Sequence, residues 1–303
     1  MYSFMSKTVR WFIATSLFLA LAIGVELTIG WGSILKDWQN LSITNLLLLT
    51  LLTFISYLLR AERVFNYFAS DSHSRVSYIK ISFLHNALNN FLPMRLGEAA
   101  FPLLMKREFS ESMLTTSAGL LVIRLMDLHV LLLLASLALL SVTPLLGGII
   151  FIALILLPLL LRAGGETLFS LFPAKIMNIL KKIEHLWPRD YRLLGKTYLM
   201  TLLIWVVKLA ALVLILMSFL SIDFFNGALA VILADISGVL PIHGLAGSGT
   251  YEAAMLAALY PLGFETVEAI KAAINVHIYL LGASLISVPI ALLLPSSQQR
   301  SSP

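Results

Sequence analysis

No cysteine occurs in this chain, and charge is scarce. The first absence excludes disulfides, thiolate nucleophiles and cysteine-ligated metals. The second is equally restrictive. Only 12% of residues are Asp, Glu, Lys or Arg, against about 25% in soluble domains. None of the 303 residues forms a stretch polar enough to stand apart as a soluble domain, so a single membrane domain, 1–303, is expected. No His/Asp/Glu cluster has metal-ligand spacing, and no glycine-rich nucleotide loop is present. No metal, cofactor or internal ATP drive is expected. What fills the chain is apolar: 59% of residues are hydrophobic and the mean hydropathy is +0.92. This is the composition of an all-α polytopic membrane protein.

A helix needs about 20 apolar residues to span a bilayer. Runs of that kind cover Trp11–Trp31, Ile43–Leu59, Ser112–Val142, Leu145–Leu161, Tyr198–Leu220 and Val267–Leu294. They predict about six spans. The first run follows Lys7 and Arg10 like a signal peptide, but it is too long for an h-region and is read as a retained span. Between the runs lie two basic connectors. Arg60–Lys80 is aromatic-rich and is expected at the interface. In Arg162–Lys196, the spacing of Ile176, Ile179, Leu180, Ile183 and Leu186 predicts an amphipathic surface helix. The tail, 295–303, is polar and expected to be disordered.

Two stretches fit none of these classes. Phe91–Ala100 reads FLPMRLGEAA, and Gly238–Ala254 reads GVLPIHGLAGSGTYEAA. Each carries Leu-Pro, then a polar residue (Arg95 or His243), then Gly, then Glu-Ala-Ala (Glu98 or Glu252). Proline removes a backbone donor and glycine loosens the helix, so such a segment cannot cross lipid as a plain helix. Each is read as the break within a re-entrant helical hairpin, the first roughly Ile81–Met105 and the second about Phe224–Leu262. The parallel continues downstream: Arg124 lies 26 positions after Glu98, and His277 lies 25 after Glu252.

Orientation follows from the basic residues. If each hairpin returns to the side it entered, nearly all basic loop residues fall on one face, and both termini are cytoplasmic. The net charge of +5 is then a topology signal, and nucleic acid is not an expected partner. Repeat one, about 11–142, and repeat two, about 145–295, have opposite topology. The plan is an inverted repeat with a midplane site where the hairpins meet.

The motifs N-x-x-L-P-x-R-L-G-E (ending at Glu98), V-I-R-L-M-D-L (Val122–Leu128) and L-P-x-x-G-x-x-G-x-G-x-x-E (Leu240–Glu252) resemble the flippase-like family. That family includes the membrane part of lysylphosphatidylglycerol synthases and proteins encoded near glycosyltransferases. The resemblance covers nearly the whole chain. It departs at His243-Gly244-Leu245-Ala246-Gly247, where the family tends to carry a Pro-Gly-Gly-type run, and at His277, where it often has Arg. The resemblance implies translocation of a lipid with a polar or charged head group. No aminoacyl-transferase domain accompanies the motifs, so synthesis of the aminoacylated lipid is not expected.

An intramembrane ionisable residue marks a site by default. Arg95 and Glu98 share a helix face, for head-group binding or for an internal ion pair that steadies the hairpin. Arg124 and Asp127 repeat that spacing and either contact substrate or support Glu98 or Glu252. Asp235 sits in the second hairpin, with Lys208 as its prospective partner. Ser248 or Thr250 is expected to cap the second limb, aiming free amides and Glu252 at the site centre. His243 and His277 are either proton carriers or satisfied core histidines. Asn86, Asn89 and Asn90 brace the hairpin backbone or touch ligand. The leading expectation is a non-enzymatic flippase of the cell (inner) membrane, passing a phospholipid or polyprenyl phosphate between leaflets. The rival is a scaffold or regulator of a glycosyltransferase or lipid synthase. An intramembrane transferase or hydrolase is the weakest, since no nucleophile–base pair is visible.

Overall fold

The computed structural model describes residues 7–70, 73–92, 96–170, 190–238 and 245–295. Among them the chain is helical, with no strand. The helices are α1 (Lys7–Thr28), α2 (Trp31–Asp37), α3 (Ile43–Phe68), α4 (Arg75–Phe91), α5 (Leu96–Phe109), α6 (Met113–Leu139), α7 (Pro144–Ser170), α8 (Tyr191–Phe219), α9 (Phe224–Ser237), α10 (Thr250–Leu259) and α11 (Thr266–Leu293). Four of them, α3, α6, α8 and α11, are long and apolar enough to cross a membrane. A bent pair formed by α1 and the Trp31–Asn40 segment raises this to five, and shorter apolar helices occur at Pro144–Leu160 and Phe224–Ser237.

The first expected span is bent. Its helix ends at Thr28, Gly30 takes φ 81°, and the chain turns by 83°. Glu26 serves this corner, its carboxylate accepting from the Trp31 amide at 3.0 Å. The Arg60–Lys80 connector is helical at its start: α3 runs on through residues 60–68, and Arg63 is buried. The apolar run stops at Leu59, but the helix continues, and Asp127 and Thr201 receive the buried Arg63. At the other connector, α7 extends to Ser170 and Lys196 lies inside α8, while Ile176–Leu186 and the tail from 296 lie outside the described residues.

Two pairs of shorter helices pack side by side. In the first, Ser77 donates to Glu108 at 2.8 Å and Asn89 to Glu98 at 2.7 Å, so α4 and α5 run antiparallel. Gly97 is a close approach: a Cβ there would clash with the Asn89 backbone. In the second pair, α9 packs against α10. Asp223 starts α9 by accepting from the amides of Phe225 and Asn226 at 3.0 and 3.1 Å.

The core has two main parts. α8, α9, α10 and α11 share one apolar cluster with α6, and α3, α4 and α5 share another around Tyr78, Phe101 and Met105. Small polar residues tie α11 to α3: Thr53 bonds Tyr279 at 2.7 Å, and Tyr57 bonds Ser284 at 3.2 Å. Small and hydroxyl side chains at helix contacts are typical of membrane bundles. Outward faces are apolar instead of charged, with Leu145, Ile149, Ile152 and Leu159 of α7 all exposed.

The Gly97 contact is with backbone, which cannot rotate away. Gly97→Ala is expected to lower stability by about 1–3 kcal/mol, as for overpacking elsewhere. Gly282→Ala, where nothing lies within 4 Å, is the matched control. Thermal unfolding in detergent checks this; equal midpoints for the two variants would contradict the close approach.

Candidate functional site

A cavity of about 330 Å³ lies between the two helix pairs, lined by residues from α3, α4, α5, α6, α8, α9, α10 and α11. Its charged groups form a connected relay. Asp127 on α6 accepts from Arg63 on α3 at 2.6 Å, from Arg124 at 3.0 Å and from Trp205 Nε1 on α8 at 2.9 Å. Arg63 also donates to Thr201 at 2.8 Å. Arg124 reaches onward to Glu98 on α5 at 2.8 Å. Glu98 further accepts from Asn89 at 2.7 Å, and His85 Nε2 stands 3.6 Å from its second oxygen.

Burial divides this relay into two ends. The Arg63 and Asp127 side chains are 2% and 6% exposed, so their pairing holds helices together. Glu98 and Arg124 are 23% and 25% exposed, so their pairing faces the cavity. Separately, Lys208 on α8 donates to Asp235 on α9 at 2.7 Å. Trp205 packs between these groups, with Lys208 Nζ 4.8 Å and the Arg60 guanidinium 5.0 Å from its ring centre.

On the other wall, His277 of α11 meets Glu252 of α10 at 2.6 Å and stacks on Tyr251 at 4.4 Å. His277 and Tyr251 line the cavity; Glu252 stands behind them. The second oxygen of Glu252 accepts from the Gly249 amide at 2.8 Å.

A family model described as the lysylphosphatidylglycerol synthase TM region matches residues 11–287. The chain belongs to that family. No curated protein and no solved structure matches it. Membership makes this a membrane protein related to lipid handling. It carries no geometry with it, so the site in this family member rests on its own residues.

Of the residues singled out from sequence, Asn86, Asn89, Asn90, Glu98, Arg124, Asp127, Lys208, Asp235 and His277 line this same cavity. Asn90 donates to Ser284 of α11 at 2.5 Å, joining the first hairpin to the last helix. Arg95 and His243 lie outside the described residues. The capping expectation is corrected. Thr250 donates back to the Gly247 carbonyl at 3.1 Å, and Ser248 to Leu245 at 2.7 Å; neither caps α10. The cap position is Gly249, at φ 89°, a left-handed geometry glycine accepts readily. Glycine has no side chain, so the Glu252 carboxylate satisfies its amide instead.

Arg60, Arg63, His85 and Trp205 were not singled out as site residues, yet all four line the cavity of this family member. A signal existed. Arg60 and Arg63 continue the helical spacing of Thr53, Ser56 and Tyr57 beyond the apolar run, and Trp205 and Lys208 repeat the i, i+3 step on α8.

Removing one partner of a buried ion pair leaves an uncompensated charge and costs about 3–5 kcal/mol. Asp127→Ala is therefore expected to destabilise by that amount, with Asp127→Asn milder because one acceptor remains. The comparison is Asp223→Ala, an exposed cap worth about 1 kcal/mol. Unfolding midpoints in detergent check the ranking; Asp127→Ala no worse than Asp223→Ala would contradict the buried relay.

Proposed function

We propose that this chain is a lipid flippase. It moves an anionic phospholipid or a polyprenyl-phosphate-linked lipid between leaflets of the cell membrane, with the head group crossing through the cavity and the tails in lipid. In this reading α4–α5 and α9–α10 are re-entrant hairpins that enter from opposite faces. Repeat one, about 11–142, and repeat two, about 145–295, are related by inverted topology, and both termini are cytoplasmic. Gly/Pro-interrupted segments at matching positions of two halves are where transporters bind substrate.

One observation carries the reading. In each half, the carboxylate just past the broken segment is held by a cationic or titratable side chain from the next long helix. Glu98 meets Arg124 at 2.8 Å, and Glu252 meets His277 at 2.6 Å. The matching sequence intervals thus correspond to the same contact made twice, on opposite walls of one cavity. Glu98 and Arg124 are the exchangeable pair: a head-group phosphate would take over the guanidinium while Asn89 and His85 keep the carboxylate in place. A guanidinium forks onto phosphate as well as onto carboxylate, so this exchange keeps its hydrogen bonds.

Proteoliposomes holding a fluorescent anionic phospholipid test this. The wild type is expected to speed leaflet exchange. Glu98→Gln and Glu252→Gln, shown to be folded, are expected to lose roughly tenfold or more, as for loss of one partner of a buried charge pair. Unaltered exchange in both variants would contradict the reading.

A further inference from the structure

We propose that Arg60 is the phosphate anchor of the cavity: the cation that has lost its protein carboxylate and takes a lipid-borne phosphodiester instead. The proposal rests on the transport reading and assigns the residue that selects its substrate's charge.

The first ground is pairing. Each carboxylate that lines the cavity is already occupied: Asp127 by Arg63 and Arg124, Glu98 by Arg124, and Asp235 by Lys208. Glu252, behind His277, is occupied by that ring and the Gly249 amide. Arg60 lines the same cavity, yet among the described residues it has no carboxylate within ion-pair distance and no hydrogen bond. Its Nε is buried without a partner, and its guanidinium lies over Trp205. A ring face holds a cation in position but supplies no acceptor for its N–H groups. A desolvated guanidinium with unmet donors is a site for a planar or tetrahedral oxyanion.

The second ground is the comparison of the two halves. Both can be counted back from their Leu-Pro steps, Leu92-Pro93 and Leu240-Pro241. Arg60 lies 33 residues before Pro93, and Lys208 lies 33 before Pro241. The surrounding positions agree. Thr53, Tyr57 and Arg60 correspond to Thr201, Trp205 and Lys208: a threonine, then an aromatic, then a base. Six residues before each proline the halves part. The second half has Asp235, which holds Lys208 at 2.7 Å, and the first half has Ala87. By this count the first half lacks the acid that pairs the base in the second half. In the second half the base has its acid, and in the first half Arg60 stands without a paired carboxylate among the described residues. A monoanionic phosphodiester supplies that guanidinium with a negative charge and two acceptor oxygens.

Free phosphate esters share that chemistry, so the test separates them. The purified protein in detergent is titrated with dioctanoyl phosphatidylglycerol, with its chainless head group glycerophosphoglycerol, and with dioctanoylglycerol, which lacks phosphate. Binding is read by native mass spectrometry. The wild type is expected to prefer the phospholipid over dioctanoylglycerol by roughly tenfold or more, as for hydrogen bonds to a charged group. Arg60→Gln removes that preference and leaves dioctanoylglycerol binding unchanged, and Arg60→Lys restores part of it. Ala87→Asp supplies the carboxylate present in the other half and lowers phospholipid affinity with Arg60 still in place, so the proposal stays testable if Arg60→Gln does not fold. Unchanged phospholipid preference in Arg60→Gln, or none in the wild type, overturns the anchor. Equal affinity for the chainless head group overturns its assignment to lipid. Leaflet exchange is scored independently. An Arg60 effect on binding without wild-type exchange supports the anchor and removes the transport reading. Exchange without an Arg60 effect removes the anchor alone.

Discussion

Four hydrogen bonds from three side chains converge on the Asp127 carboxylate, and the charged relay that runs from α3 to α5 hangs from it. Arg63 ties it to α3, Trp205 to α8, and Arg124 carries the connection across to Glu98 on α5. A buried carboxylate is tolerable only when its charge is matched and its lone pairs are filled. Asp127 meets both conditions, and in doing so it makes two arginines tolerable inside an apolar bundle. Without it, Arg63 would be a bare buried cation, and Arg124 would lose the fixed end from which it presents its other side to the cavity.

That arrangement explains how a chain with so little charge can concentrate it at one place. The outer faces of α7 and α11 are apolar, as a lipid-facing surface must be. The polar groups turn inward to a cavity walled by both broken helix pairs. Close backbone contact at Gly97 lets α5 approach α4, which brings Glu98 within reach of both Asn89 and Arg124. The second pair uses a different local device, a glycine turn at Gly249 whose amide is satisfied by Glu252. Different turns thus deliver the same kind of contact, a carboxylate on the broken segment against a basic side chain of the following helix.

Much of this was legible in the sequence. The apolar runs gave the long helices, because hydropathy over some 20 residues is decided by the bilayer and not by neighbours. The interrupted segments stood out through Leu-Pro and glycine in an apolar setting, and the intervals from Glu98 to Arg124 and from Glu252 to His277 marked the later contacts. Lys208 and Asp235 were expected as partners and are paired. Arg60 and Arg63 were not legible as site residues. A basic residue at the end of an apolar run looks the same whether it faces head groups or a buried carboxylate, and only packing against α6 tells the two apart. The cap of α10 was misread for a related reason. Sequence offers Ser248 and Thr250 as hydroxyl caps, whereas the left-handed turn puts glycine at the cap position and leaves a carboxylate to do their work.

The central claim is that the helix pairs α4–α5 and α9–α10 wall a polar, water-accessible cavity inside an apolar bundle. The chain has no native cysteine, so single substitutions report cleanly on access. The most direct measurement compares Asn86→Cys, on the cavity wall, with Ile149→Cys, on the outer face of α7, in membrane vesicles. Both are treated with a charged, water-soluble thiol reagent and with a lipid-permeant maleimide. The account predicts that Asn86→Cys reacts with both reagents and that Ile149→Cys reacts only with the maleimide. Asn86→Cys as inert to the charged reagent as Ile149→Cys, in vesicles of either orientation, would contradict it.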